Sequence, residues 1–134
     1  MIVRRRSVVE QREAYDMRAS RARDRQAEEE TKRRAAVDDR QQRRAFRQAV
    51  DEIATAMGET ETKAKATIER SVAALGIESA QALRHEVEAI EAAGGMITVD
   101  GSRRRTPGGI YLLLLKQRMN EAGRKDELKK ILTG

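Results

Sequence analysis

Arg103, Arg104 and Arg105 stand side by side in the run Gly101-Ser102-Arg103-Arg104-Arg105-Thr106-Pro107-Gly108-Gly109. Each guanidinium is a planar donor fork that matches the oxygens of a phosphate. The run leads into a helix start. Thr106 is a good N-cap residue, and Pro107 fits the first helical position, where a missing N–H costs nothing. Unpaired N–H groups and the helix dipole at such a start favour an anion. Gly108 and Gly109 weaken the first turn by propensity but let a backbone or a ligand approach closely. Together these residues describe a surface for a nucleic-acid backbone, with little base specificity of its own. Three arginines in a glycine-bounded turn also fit a plain solubilising loop, and composition alone leaves both readings open.

The residues around the triplet extend the same chemistry. Tyr111 lies one turn beyond Pro107, where it can stack on an exposed base or lie in the core with only its hydroxyl reaching out. Lys116 and Arg118, followed by Arg124, Lys125, Lys129 and Lys130, can widen the basic surface. Asp100 fits better as the residue that orders the turn, or pairs with an arginine, than as a base. His85 is the sole histidine, and no second strong metal ligand stands at helical spacing from it. No metal or cofactor is expected. There is no cysteine, which excludes disulfides, thiolate metal sites and cysteine nucleophiles. No Walker loop, no GxGxxG run and no His-based triad is present, so a binding protein is expected rather than an enzyme.

The elements that must hold the arginines are helical. Residues 1–56 contain neither proline nor glycine and are rich in Ala, Arg, Glu and Gln, all strong helix formers. Opposite charges recur at helical spacing, as in Glu29 and Arg33. Large apolar residues are scarce between Met17 and Val37, and no leucine heptad exists, so a charged helical arm is expected, ordered on a partner, rather than a coiled coil. Phe46, Val50, Ile53 and Met57 fall on one face, so the end of this helix docks.

A compact unit follows from 57 to 134. Its first helix is expected over 61–75, with Ala64, Ile68, Val72 and Leu75 on one side and Gly76 as its stop. The second runs over 79–93, with Ala80, Leu83, Val87 and Ile90 inward and Glu78, Glu88 and Glu91 toward water. Met96 to Val99 reads as extended, a short strand, or a bent connector. Ile110 to Leu115 is apolar all round and forms the central core helix. A last helix over 124–132 points Leu128, Ile131 and Leu132 inward. The expected architecture is all-α: a small helical bundle with a long charged N-terminal helical arm.

Charge is unevenly spread. Residues 1–50 carry 15 basic and 9 acidic groups, residues 51–100 carry 4 and 10, and residues 101–134 carry 9 and 3. Two basic ends thus flank an acidic middle, which either meets the arm or is a solvated face. A basic field attracts polyanions, and nucleic acid is the commonest. No stretch is apolar enough to span a membrane. Met1 to Arg6 carries charge without a following apolar region, which is not a secretory pattern. The cytoplasm is the expected location.

The segment from Gly94 to Lys116, GGMITVDGSRRRTPGGIYLLLLK, closely resembles the RNA-binding domain of the phosphorylated adaptor for RNA export. The hallmark of that family is a Gly-Ser-Arg-Arg-Arg-Thr-Pro-Gly-Gly run followed by an aliphatic or aromatic pair and a leucine-rich helix, and Gly101 to Gly109 reproduce the run unbroken. Ala73-Ala74-Leu75-Gly76 also looks like the family's approach to the motif. The resemblance covers roughly residues 57 to 132. It implies a small all-helical bundle binding single-stranded or flexible RNA through Arg103, Arg104 and Arg105, with Thr106, Gly108 and Gly109 shaping the loop. It also disfavours a true strand at Met96 to Val99. In the eukaryotic adaptor the domain sits in a larger protein with further partner-binding segments, to which the resemblance does not extend, so a nuclear export role is not implied. Two other functions fit the sequence. One is a structural component of a ribonucleoprotein or ribosome-associated particle. The other is a protein-interaction adaptor using residues 1–56.

Overall fold

A computed structural model describes residues 7–134. Five helices follow one another among them: α1 (Val8–Ala56), α2 (Thr62–Leu75), α3 (Ile77–Ala92), α4 (Pro107–Glu121) and α5 (Lys125–Thr133). The all-α architecture with a long first helix is as the sequence implies. The readings made on Met1 to Arg6 lie outside the described residues. Among the described residues no helix is long and apolar enough to cross a membrane.

The chain divides into two units, one up to Gln42 and one from Arg43 to Gly134. The boundary falls inside α1, earlier than the division after Ala56 expected from the sequence. The cause is the apolar face at the end of α1: Ala49, Val50, Ile53, Ala54 and Met57 are buried in the core, with Phe46 packed half-buried against it. The first unit is helical throughout its described part. Its side chains are exposed except the half-buried Ala14 and Ala19. Charged neighbours support it locally, as where Arg33 stands 3.9 Å from Glu29 one turn away.

In the second unit the core gathers Ile68 and Val72 of α2, Ala80, Leu83 and Val87 of α3, Ile110, Tyr111, Leu115 and Met119 of α4, and Leu128 and Ile131 of α5. α4 is central, as its continuous apolar run predicts: Leu112, Leu113 and Leu114 are half-buried between its buried residues. Leu132, expected inward, is exposed. α5 ends at Thr133 and buries only the i, i+3 pair Leu128 and Ile131, which leaves Leu132 on the outer side.

Two arginines tie α2 and α5 together reciprocally. Arg70 of α2 donates from Nε to the Ile131 carbonyl at 2.8 Å, and Arg124, at the start of α5, donates from Nη2 to the Ala74 carbonyl at 2.9 Å. Each satisfies a carbonyl in the last turn of the other helix, where no intrahelical donor is available. Arg124, read from the sequence as part of a basic surface, is thus a half-buried structural residue. It also pairs with Glu127.

Candidate nucleic-acid interface

The arginine triplet lies on the returning limb of a short hairpin between α3 and α4. Gly94 and Gly95 end α3 with φ of 115° and 83°, values closed to most side chains, and release the chain into Met96 to Val99. Ile97 then bridges antiparallel to Arg104. Thr98 donates its amide to the Arg103 carbonyl at 2.9 Å, and Arg105 donates to the Met96 carbonyl at 2.7 Å. The extended reading of Met96 to Val99 is therefore right locally, but the pairing is a single bridge rather than a sheet.

Asp100 holds the tip. One of its oxygens accepts from the Thr98 hydroxyl at 2.6 Å, the Ser102 hydroxyl at 2.8 Å and the Ser102 amide at 3.1 Å. These donors, Thr98 first, lower its carboxyl from 3.8 to about 2. The turn-ordering role expected of Asp100 is the one it has.

The three guanidinium groups have different situations. Arg104 donates from Nη2 to Glu91 of α3 at 2.8 Å. Its guanidinium lies directly over Gly95, where a Cβ would meet Nη2 at 2.8 Å and Cζ at 2.9 Å. Only glycine admits that approach. Glu91, expected to face water, is half-buried by this contact, and its second oxygen is buried without a partner. Arg103 and Arg105 have no carboxylate partner among the described residues, Arg103 being exposed and Arg105 half-buried. Together with Arg104, Thr98, Thr106 and Gly109 they line a cleft of about 140 Å³.

The start of α4 is capped as expected: the Thr106 hydroxyl accepts from the Gly109 amide at 3.1 Å, and Pro107 occupies the first position. This leaves the first turn poorer in free donors than the sequence reading assumed. Pro107 has no N–H and Gly109 has given its own, so Gly108 alone keeps one free. Gly108 is itself buried, and Glu59 packs against it so closely that a Cβ there would meet the carboxyl carbon at 3.0 Å. A carboxylate of the chain already faces the positive end of this helix. Attraction for an anion therefore rests on the guanidinium groups and not on the helix start. Gly108 serves to admit Glu59, while Gly109 lines the cleft.

Tyr111 does not reach this surface. It is 1% exposed, and its hydroxyl is 2.8 Å from that of Ser71 on α2. Base stacking by Tyr111 is excluded, and the core reading holds. The reason is position: one turn past the cap, its side chain points along the buried face with Ile110 and Leu115. Lys116 is exposed, whereas Arg118 is half-buried and paired with Glu86 of α3. Neither lines the cleft. The acidic middle thus has a use the sequence did not show: Glu86 and Glu91, both on α3, engage arginines of the basic C-terminal third. His85 is exposed, 3.8 Å from Glu88, and no cluster that could hold a metal occurs among the described residues.

The sequence of residues 49–133 matches the profile of the phosphorylated adapter RNA export protein, RNA-binding domain. The match begins inside α1, in agreement with the buried residues at its end. Among curated proteins, the phosphorylated adapter RNA export protein of Rattus norvegicus is 46% identical over 66 residues, 49% of this chain and 16% of the relative. That of Bos taurus is 42% identical over 79 residues, 59% of this chain and 18% of the relative. The human protein is 46% identical over 52 residues, 39% of this chain and 13% of the relative. The chain thus spans less than a fifth of the length of these relatives. No solved structure matches it significantly. The matched family is one of RNA-binding domains, not of enzymes. With its arginine hairpin, its capped α4 and a match over most of its length, the chain belongs to the family of the phosphorylated adapter RNA export protein RNA-binding domain.

Proposed function

We propose that residues 43–134 bind single-stranded or flexible RNA through its phosphates, with Arg103 and Arg105 as the contacting cations and Thr106 and Gly109 as the wall against which the backbone rests. One observation carries this reading: two guanidinium groups on either side of Arg104, without a carboxylate partner among the described residues, line one cleft on a hairpin held by hydrogen bonds. Arg104 has a different role. Bound to Glu91 and lying on Gly95, it fixes the hairpin to α3 so that its two neighbours keep their places. Phosphate contacts of this kind position a strand without reading its sequence.

The test is RNA affinity of the full chain as a function of salt. For single strands the slope of log K against log salt is about −0.7 for each phosphate neutralised. Arg103→Ala with Arg105→Ala should weaken binding to an unstructured RNA oligonucleotide and flatten that slope by roughly 1.4, two such contacts. An unchanged slope and affinity in the double variant would remove the assignment.

For residues 7–42 a different reading is favoured. They contain nine basic and nine acidic residues and no buried side chain. A balanced helix adds no net attraction for a polyanion, so we assign it a protein or ribonucleoprotein partner rather than a second electrostatic grip on RNA. Deleting residues 7–42 should leave the RNA affinity of the cleft nearly intact, and a large loss would contradict the division.

A further inference from the structure

The hairpin carries a second kind of chemistry at its tip. Ile97 is 68% exposed and Val99 is 97% exposed. Ile97 stands in the single bridge and Val99 at the first corner of the turn that follows, so both lie at the outer end of the hairpin. Arg103, Arg104 and Arg105 line the cleft with Thr98, whereas Ile97 and Val99 do not. Turns are ordinarily built from Gly, Asn, Asp and Ser, so Val99 is unusual in its turn, and neither Val99 nor Ile97 gains from burial on folding. Nor is the tip loose. Besides the three bonds to Asp100, the Gly101 amide donates to the Thr98 carbonyl at 2.8 Å. A fixed turn therefore holds two apolar side chains in water beside uncompensated cations.

We propose that Ile97 and Val99 form an apolar platform for the unpaired bases of a single-stranded RNA whose phosphates rest on Arg103 and Arg105. This rests on the RNA reading of the cleft. The occupant follows from charge and from covalent structure. Two cations without a carboxylate partner among the described residues, Arg103 and Arg105, stand against the single carboxylate of Asp100 at the tip, a balance that suits a polyanion. In a single strand, base and phosphate leave the sugar in different directions, so a strand crossing the hairpin can set phosphates in the cleft and bases on the apolar pair at its outer end. Tyr111 is closed off in the core and no aromatic side chain lies on the hairpin, so Ile97 and Val99 are its exposed apolar contact, Met96 being packed against the core. Such contact carries no hydrogen-bond code. It favours bases with a large face, purines over pyrimidines, because more apolar area leaves water.

The experiment compares octa-adenylate and octa-uridylate binding to the full chain with Ile97→Thr/Val99→Thr, which keeps the β-branched shape while adding hydroxyls. Both positions are exposed, and an unchanged thermal melt confirms that folding is intact. The expected result is a loss of about tenfold in affinity for the adenylate, a smaller loss for the uridylate, and an unchanged salt slope. The double arginine variant, by contrast, changes the slope. Wild-type affinity in the threonine variant overturns the platform while leaving the cleft standing. Absence of RNA binding by the wild-type chain, or binding indifferent to the arginines, overturns both. Loss of a protein partner with RNA affinity intact assigns the tip to that partner and also overturns the platform.

Discussion

Tyr111 donates its phenolic hydrogen to Ser71 across 2.8 Å. The direction follows because the single hydrogen of the Ser71 hydroxyl is already given to the Ile68 carbonyl at 2.6 Å. Both side chains are essentially without solvent contact, so the pair joins α2 to α4 inside the core. Ser71→Ala would leave a buried phenol without an acceptor, at a cost of about 1–3 kcal/mol. Tyr111→Phe removes the unsatisfied group and should cost less. Urea denaturation of the two variants and their combination would show the double variant losing less than the sum.

The same core makes stability sensitive to alkali. Burial raises the Tyr111 phenol above its usual 10.0. The folded chain therefore keeps a proton that the unfolded chain releases near pH 10. The contribution is whole below that pH and declines as pH rises through the folded value. Tyr111→Phe should remove this component of alkaline destabilisation. An identical stability profile above pH 10 in the variant would refute it.

Asp100 works in the opposite direction. With its carboxyl at about 2 rather than 3.8, the tip of the hairpin is favoured fully above the ordinary value and loses that support as pH falls through the lower one. Amide exchange at Ser102 should stay slow down to the ordinary carboxylate range and speed up only below it. Asp100→Ala should show fast exchange at every pH.

Arg104→Ala separates holding from binding. The salt slope of RNA binding should be close to that of the wild type, because its guanidinium is already engaged by Glu91. Amide exchange at Thr98 and Arg105, the hairpin's paired donors, should accelerate. A slope reduced by about 0.7 with unchanged exchange would instead make Arg104 a third phosphate contact.

Arg70→Ala and Arg124→Ala should each destabilise the chain by about 1–2 kcal/mol, since each leaves a helix-terminal carbonyl without its charged donor. Both act on the α2–α5 contact, so thermal melts of the double variant should fall short of additivity.

Much of the fold was readable from periodicity. Ile68 and Val72, Leu83 and Val87, and Leu128 and Ile131 recur at helical spacing, and Thr106-Pro107 marks a helix start by local chemistry alone. What escaped the sequence depended on contacts between distant segments. The ties of Glu91 to Arg104 and Glu86 to Arg118 join residues 13 and 32 apart, and no local pattern distinguishes these acids from solvated ones. The Arg70 and Arg124 caps were hidden for the same reason. Tyr111 was ambiguous because a helix that is apolar all round has no face marked as outer. The placement of Glu59 against Gly108 had one signal, a glycine at a position of low helix propensity, but its partner could not be named. The arginine triplet was legible as a cluster, while the split into one tethered and two unpaired side chains required the hairpin's geometry.

Gly76 closes α2 and opens α3 by itself, at φ 88° and ψ 159°. A linker one residue long cannot absorb a change in length. Adding a single residue there would turn α3 by about 100° about its own axis, given 3.6 residues per turn. Leu83 and Val87 would swing out of the core, and Glu86 and Glu91 would leave their arginines together. The joint between these helices therefore sets, through rotational phase alone, whether the hairpin stays anchored.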